Sequence, residues 1–244
     1  MERLFISDLH LSEAAPDLFL AFEHFLQDHC NDIDELYILG DLVDAWIGDD
    51  DDSPFVQRLS ATLKNVTDNG CSLFLMQGNR DFLLGENFAQ TIGATLLPDT
   101  HILTLAGERT LLMHGDTLCV DDTEYQQFRT QVRSYVWQQN LLAQPLEQRR
   151  ALARQLRDIS QAANQDKTDD IMDVNDTEVE RVMAQHEVSV LIHGHTHRPA
   201  RHPMPELKER IVLGDWDAER PVWVCKADDN TIEFLHLPLR NVEP

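Results

Sequence analysis

Five short stretches hold residues able to do chemistry, and they recur through most of the chain. They are Asp8-Leu9-His10, Gly40-Asp41-Leu42-Val43-Asp44, Gly78-Asn79-Arg80-Asp81, His114-Gly115-Asp116 and Gly194-His195-Thr196-His197. Their donors are carboxylate oxygens, one amide oxygen and imidazole nitrogens, a mixture that suits divalent transition metals. Asp41 stands centrally in that order, and a carboxylate with two oxygens and a full charge can bridge two cations. Arg80 has no lone pair to offer a metal; its planar fork of donors suits a phosphate. Each stretch alone has a bland reading. An aspartate can cap a turn, Gly-Asn is good β-turn chemistry, and a histidine-rich loop can be merely solvated. Five in order, separated by intervals the size of a βα unit, point instead to one site holding two metals.

The elements that must position these residues are legible on either side of them. Apolar runs at residues 4–7, 35–39, 71–76, 109–113 and 188–192 read as strands. Each delivers one of the five stretches at its end, where open α/β sheets carry their sites. Residues 101–105 and 109–113 flank Ala106-Gly107-Glu108 as a hairpin. Helices are predicted over 19–29, 55–69, 85–93 and 175–186, the first two with clear apolar stripes. Residues 121–167 break the rhythm, being polar, rich in glutamine and without a strand. One helix is predicted over 123–142 and another from Pro145 to about Asn164. On the latter, Leu152, Leu156, Ile159 and Ala163 form an apolar stripe. Arg157, Ser160, Asn164 and Lys167 share a polar stripe beside it, which reads equally as a solvated face. The acidic run 49–52 has no histidine partner and reads as a solvated loop. Three short antiparallel strands are expected over 210–213, 222–225 and 231–235, and Asp215 and Trp216 between them could close one wall of the site.

A chain of 244 residues fits one domain, 1–244, with room for an insertion at 121–167. The net charge of −23 makes the chain a poor ligand for nucleic acid phosphates and suits a protein that holds cations. Four dispersed cysteines without a CxxC pair are expected to be reduced and mostly buried. The N-terminus runs straight into a strand, which argues against a signal peptide. No apolar run approaches the ~18 residues of a membrane span. With the dispersed cysteines this leads to the expectation of a cytoplasmic setting, with no obligatory protein partner evident.

The five motifs, over roughly residues 4–200, resemble the calcineurin-like metallophosphoesterase superfamily. The resemblance implies an α/β fold of four layers, two packed β-sheets flanked by helices, with a helical cap inserted here at 121–167. It implies one metal on Asp8, His10, Asp41 and His197 and a second on Asp41, Asn79, His114 and His195, bridged by Asp41. Two Mn²⁺ per chain are the common occupants. Most members have histidine after the asparagine, where it can protonate a leaving alcohol; this chain has Arg80. Arginine is no general acid at neutral pH. A phosphate leaving group, with a second pKa of about 6, needs none. Arg80 thus favours cleavage of a phosphoanhydride over the ester chemistry of phosphodiesterases and phosphoprotein phosphatases.

Together, the Gly-Asn-Arg-Asp stretch and the helical insertion resemble the branch of the superfamily that acts in lipid A synthesis. That implies water attack on the α-phosphorus of UDP-2,3-diacylglucosamine, giving UMP and 2,3-diacylglucosamine 1-phosphate (lipid X). Asp41, Asn79, Arg80, His114 and His195 would carry the chemistry. Asn79, Arg80, Asp122, Ser160, Asn164, Lys167 and His195 would bind substrate, joined by Arg157 from the polar stripe. The cap would hold the acyl chains, and the protein would attach peripherally to the cytoplasmic face of the inner membrane. Val136, Trp137, Leu141 and Leu142 read as an apolar patch for that contact, or equally as ordinary core.

Overall fold

The computed structural model describes residues 1–165 and 173–240, of which 158–165 as backbone only. The chain opens with alternating strands and helices: β1 (Arg3–Ile6), α1 (Pro16–His29), β2 (Glu35–Leu39), α2 (Pro54–Asp68), β3 (Ser72–Met76), α3 (Glu86–Thr91) and β4 (Thr95–Leu96). The hairpin β5 (Thr100–Leu105) and β6 (Glu108–Met113) follows. Three helices come next, α4 (Thr123–Val132), α5 (Tyr135–Leu142) and α6 (Leu146–Gln165). The chain then runs through α7 (Asp176–Gln185), β7 (Val190–His193), β8 (Ala200–Pro203), β9 (Glu209–Val212), β10 (Val222–Ala227) and β11 (Ile232–Leu237).

The strands form two sheets, ordered β11-β10-β1-β2-β3-β4 and β5-β6-β7-β9-β8. Within them β1, β2, β3 and β4 are parallel, as are β6, β7 and β9. Alternation along the strands makes four layers. Tyr37 and Leu39 of β2 face inward and join Leu112, Ile192 and Ile211 of the other sheet in one buried cluster. Leu36 and Ile38 face outward and bury Phe22 of α1 and Leu59 and Leu63 of α2. On the far side Leu111 and Leu191 bury Val179 and Met183 of α7. Strands covered on both faces must be apolar throughout, which is why these runs lack polar alternation. Parallel pairing also brings the carboxyl ends of neighbouring strands to one edge.

The helix expected over 123–142 is two helices. Ser134 caps α5 by accepting from the Trp137 N–H, and that local bond competes with a continuous helix. Arg133 uses the break to reach Gln77 and the Gly78 carbonyl. Two strands escaped the sequence reading. β4 has only two residues, and β8 is a sheet edge that carries Pro203 and looks like loop. All four cysteines are free and buried. Among the described residues no helix is long and apolar enough to cross a membrane.

Candidate metal centre and cavity

Asp8 and His10 follow β1, Asp41 follows β2, Asn79 follows β3, His114 follows β6, and His195 and His197 follow β7. The fold draws all seven together in two overlapping groups. In the first, His10 Nε2 lies 3.2 Å from His197 Nε2 and 3.8 Å from Asp41 Oδ2, and His197 Nε2 is 3.5 Å from Asp8 Oδ1. In the second, Asn79 Oδ1 lies 2.9 Å from His114 Nε2 and 2.8 Å from His195 Nδ1, and His114 Nε2 is 3.8 Å from Asp41 Oδ1. Asp41 belongs to both, one oxygen toward each.

The donor set fits a pair of divalent cations on several counts. Asp8 Oδ1 is buried without a hydrogen-bond partner, its nearest ion-pair contact being His197 Nε2 at 3.5 Å, a costly arrangement for a carboxylate. His114 Nδ1 is 2.9 Å from the Leu39 carbonyl, which can only accept, so Nδ1 carries a proton and Nε2 is the nitrogen turned toward the centre. Burial pushes the imidazoles of His10 and His195 down to about 4, which leaves them neutral and ready to ligate. For His114, burial lowers the value but Asp41, Asp8 and Asp116 outweigh it and raise it to about 8. Burial pushes Asp41 up to about 6 against the pull of His114, as expected for a carboxylate lacking its counter-charge.

The backbone is strained in the same place. Asp8, His10, Asp41, His195 and His197 have φ of 56°, 49°, 51°, 70° and 55°, in the left-handed region that non-glycine residues seldom occupy. Each such residue costs on the order of 1–3 kcal/mol, and clusters of them mark functional sites. Two glycines make the close packing feasible. A Cβ at Gly78 would stand 2.2 Å from Asp41 Oδ1, and one at Gly194 would stand 2.1 Å from Asp8 Oδ2.

Buried side chains brace the centre. Asp81 accepts from the backbone N–H groups of Gly78, Leu42 and Asp41 at 2.6, 2.8 and 3.3 Å, so it locks the two ligand loops together. Asp116 accepts from the Tyr125 hydroxyl at 2.6 Å and from Arg129 Nε at 2.7 Å. The Tyr125 ring lies over His195, centroids 5.9 Å apart. Neither Tyr125 nor Arg129 was singled out in sequence, where they are two polar residues of a polar helix. Their spacing of four, placing both on one helical face, was the available signal.

Arg80 sits beside Asp41, to which its backbone N–H donates at 2.8 Å. Among the described residues its guanidinium has no ion-pair partner. It lines a cavity of about 750 Å³ together with His10, Asp41, Asn79 and His195. Apolar side chains line the same cavity: Trp46, Phe82, Phe128, Leu141, Leu152 and Leu156. Asp122 and Arg157 also border it; Asp122 caps α4 through the Tyr125 N–H. Ser160, Asn164 and Lys167, with Ile159 and Ala163 of the apolar stripe, lie outside the described side chains. The proposed apolar patch divides: Leu141 is buried and Trp137 packs on Phe82, while Tyr135 and Val136 are 76% and 68% exposed.

The acidic run 49–52 is the loop expected, with Asp50 and Asp52 exposed, but it is also tied down by specific partners. Asp49 accepts from Trp46 Nε1 and from the N–H groups of Gly85 and Phe88, capping α3. Asp50 takes both terminal nitrogens of the buried Arg149, at 2.7 and 2.5 Å, and Asp51 pairs with Arg150 at 2.6 Å. The run therefore fastens α6 to the sheets. Sequence showed four acids; their cationic partners stand some hundred residues away in the chain.

A family model described as calcineurin-like phosphoesterase matches residues 1–199. A UDP-2,3-diacylglucosamine hydrolase of Cellvibrio japonicus (strain Ueda107) is 54% identical over 219 residues, 88% of this chain and 91% of that one. Another, of Tolumonas auensis, is 46% identical over 248 residues and covers 100% of both chains. One of Escherichia coli O157:H7 is 46% identical over 241 residues, 98% of this chain and 100% of the relative.

Proposed function

Because the chain belongs to the calcineurin-like phosphoesterase family, we propose that it hydrolyses UDP-2,3-diacylglucosamine to UMP and 2,3-diacylglucosamine 1-phosphate (lipid X) in lipid A synthesis. One observation carries the reading beyond the names of its relatives. A single cavity is lined both by the metal-ligand residues with a guanidinium and by a set of apolar side chains. That suits a substrate with a diphosphate at one end and acyl chains at the other.

In this reading Asp8, His10, Asp41 and His197 hold one cation, and Asp41, Asn79, His114 and His195 the second. Mn²⁺ is the proposed occupant, since mixed oxygen and imidazole ligation is compatible with it. A bound pair supplies Lewis acidity at the phosphoryl oxygens and a water acidified enough to attack phosphorus. Attack at the α-phosphorus leaves the new oxygen on UMP and expels the sugar 1-phosphate. Arg80 faces the charge that develops on the phosphoryl oxygens and stabilises it. No proton donor is needed for the leaving phosphate, whose second pKa is about 6. Asp122, Arg157, Ser160, Asn164 and Lys167 are proposed to hold the head group, and α4 to α6, within 121–167, to cap the acyl chains. Peripheral attachment at the cytoplasmic membrane face is proposed as well, on the strength of exposed Tyr135 and Val136 on a cap helix. Co-sedimentation with phospholipid vesicles, lost in Tyr135→Ser/Val136→Ser, tests that contact.

The decisive experiment is turnover of UDP-2,3-diacylglucosamine in H₂¹⁸O, with Mn²⁺ and after chelation. Activity should require the metal, and the label should appear in UMP. Label in the sugar phosphate would place the attack at the other phosphorus, and no turnover at all would remove the reading.

A further inference from the structure

The second aspartate of the Gly40–Asp44 stretch is outside both ligand groups, yet it borders the cavity beside them. Its backbone is fixed: the Asp44 N–H donates to the Leu11 carbonyl at 3.1 Å, next to a bridge between Leu11 and Val43. Its side chain, 16% exposed, holds Arg157 Nη1 at 2.5 Å. Arg157 belongs to α6, and eight residues earlier on that helix Arg149 makes its buried, two-pronged pair with Asp50. These two ion pairs bracket Leu152, Ala153 and Leu156, the part of α6 that faces the cavity. The Arg149 end is the permanent attachment, with the side chain 3% exposed; the Arg157 end, at 42%, is open to a ligand. Leu11 directly follows His10, and His10, Asp44 and Arg157 all line the cavity, so the guanidinium that Asp44 holds lies on the side of the metal ligands.

A guanidinium has five N–H donors, more than the Asp44 carboxylate alone can take up. A long arginine side chain left to itself loses rotamer freedom when it binds; one already held by a rigid carboxylate loses less. We propose that Asp44 is a positioning residue: it holds the Arg157 guanidinium on the metal-ligand side of the cavity, where its remaining donors take a phosphate oxygen of the substrate. The inference rests on the function proposed above and adds a role for a residue that holds no metal. Arg80 and Arg157 then approach the diphosphate from the base and from the cap, so the cap helix is drawn onto the centre by the substrate's own charge.

The test is a double-mutant cycle on UDP-2,3-diacylglucosamine with Asp44→Asn, Arg157→Gln and the pair, with metal content and melting temperature measured for each. Each single change should raise KM about tenfold, the scale of one charge-assisted contact, with a smaller change in kcat. The double variant should be no worse than the poorer single one, because Asp44 acts through Arg157. Asp44→Glu should recover part of the loss, and metal content should match wild type throughout. Losses that multiply in the double variant, or a wild-type KM in Asp44→Asn, would overturn the proposal. So would loss of metal in Asp44→Asn, which would make the residue part of the centre. Arg157→Gln is at a partly exposed position and reports even if Asp44→Asn fails to fold: a wild-type KM there also ends the idea. A wild-type protein that fails to turn over this substrate condemns the function instead, so the two failures are separable.

Discussion

Asp41 carries the most at the scale of a single residue. Its two oxygens face two groups of nitrogens, and its backbone is held at positive φ by Asp81 and by tight packing against Gly78. Asp41→Ala should therefore strip both cations or nearly all turnover; elemental analysis showing wild-type metal together with a near-normal rate would refute the bridging role. Arg80 makes the opposite prediction. It has no lone pair for a metal, so Arg80→Ala should keep both ions while turnover falls about 10²–10³-fold, the scale for removing one preorganised donor. Metal loss as severe as that of Asp41→Ala would show Arg80 to be structural. Asp81→Asn tests the bracing of the ligand loops. It replaces an acceptor of three backbone N–H groups by one that can offer a single oxygen. A weaker metal affinity with an unchanged fold is expected, read by metal titration and circular dichroism; wild-type affinity would assign the loops' geometry to the glycines alone.

Among the elements, α6 is the one proposed to set selectivity for acyl chains. Its apolar side turns into the cavity while Arg149 and Arg150 fasten it to the acidic run. An acyl chain laid against Leu152 and Leu156 gains about 0.8 kcal/mol per buried methylene. Cleavage of the diacylated substrate should thus be far more efficient than that of UDP-glucosamine lacking both chains. Equal kcat/KM for the two, measured below micelle-forming concentrations, would mean that the wall does not hold lipid. Truncating Leu152 or Leu156 is the poorer experiment, because it also weakens the helix's packing.

For the whole molecule the consequence is stability linked to metal. Seven donor residues on loops from five strands meet at one point, several in strained backbone, and the chain carries a net charge of −23. A cation that binds only the folded state stabilises it by about 2.7 kcal/mol per site at a hundredfold excess over Kd. In a domain of this size that raises Tm by roughly 5–10 °C. Mn²⁺ should produce such a shift in calorimetry, a chelator should reverse it, and Asp41→Ala should abolish it. An unchanged Tm on Mn²⁺ addition to metal-free protein would show that the donors do not form a binding site.

Sequence by itself determined the candidate ligands, their order and their attachment to strand ends, because both signals are local. An apolar run followed by a turn bearing Asp, Asn or His is legible in a dozen residues. The layer arrangement came with the resemblance to the family; the strands' lack of polar alternation says only that both of their faces are covered. Tertiary structure decided what depends on distant partners. The acidic run became the fastening of α6 only once Arg149 and Arg150 were brought against it, and Asp116 became a brace only through Tyr125 and Arg129. The break between α4 and α5 likewise turned on Ser134 capping, a contest between two local bonds that helix propensity alone does not resolve. Which face of a polar helix meets a cavity is set by where the rest of the chain places that cavity, and no spacing within the helix encodes it.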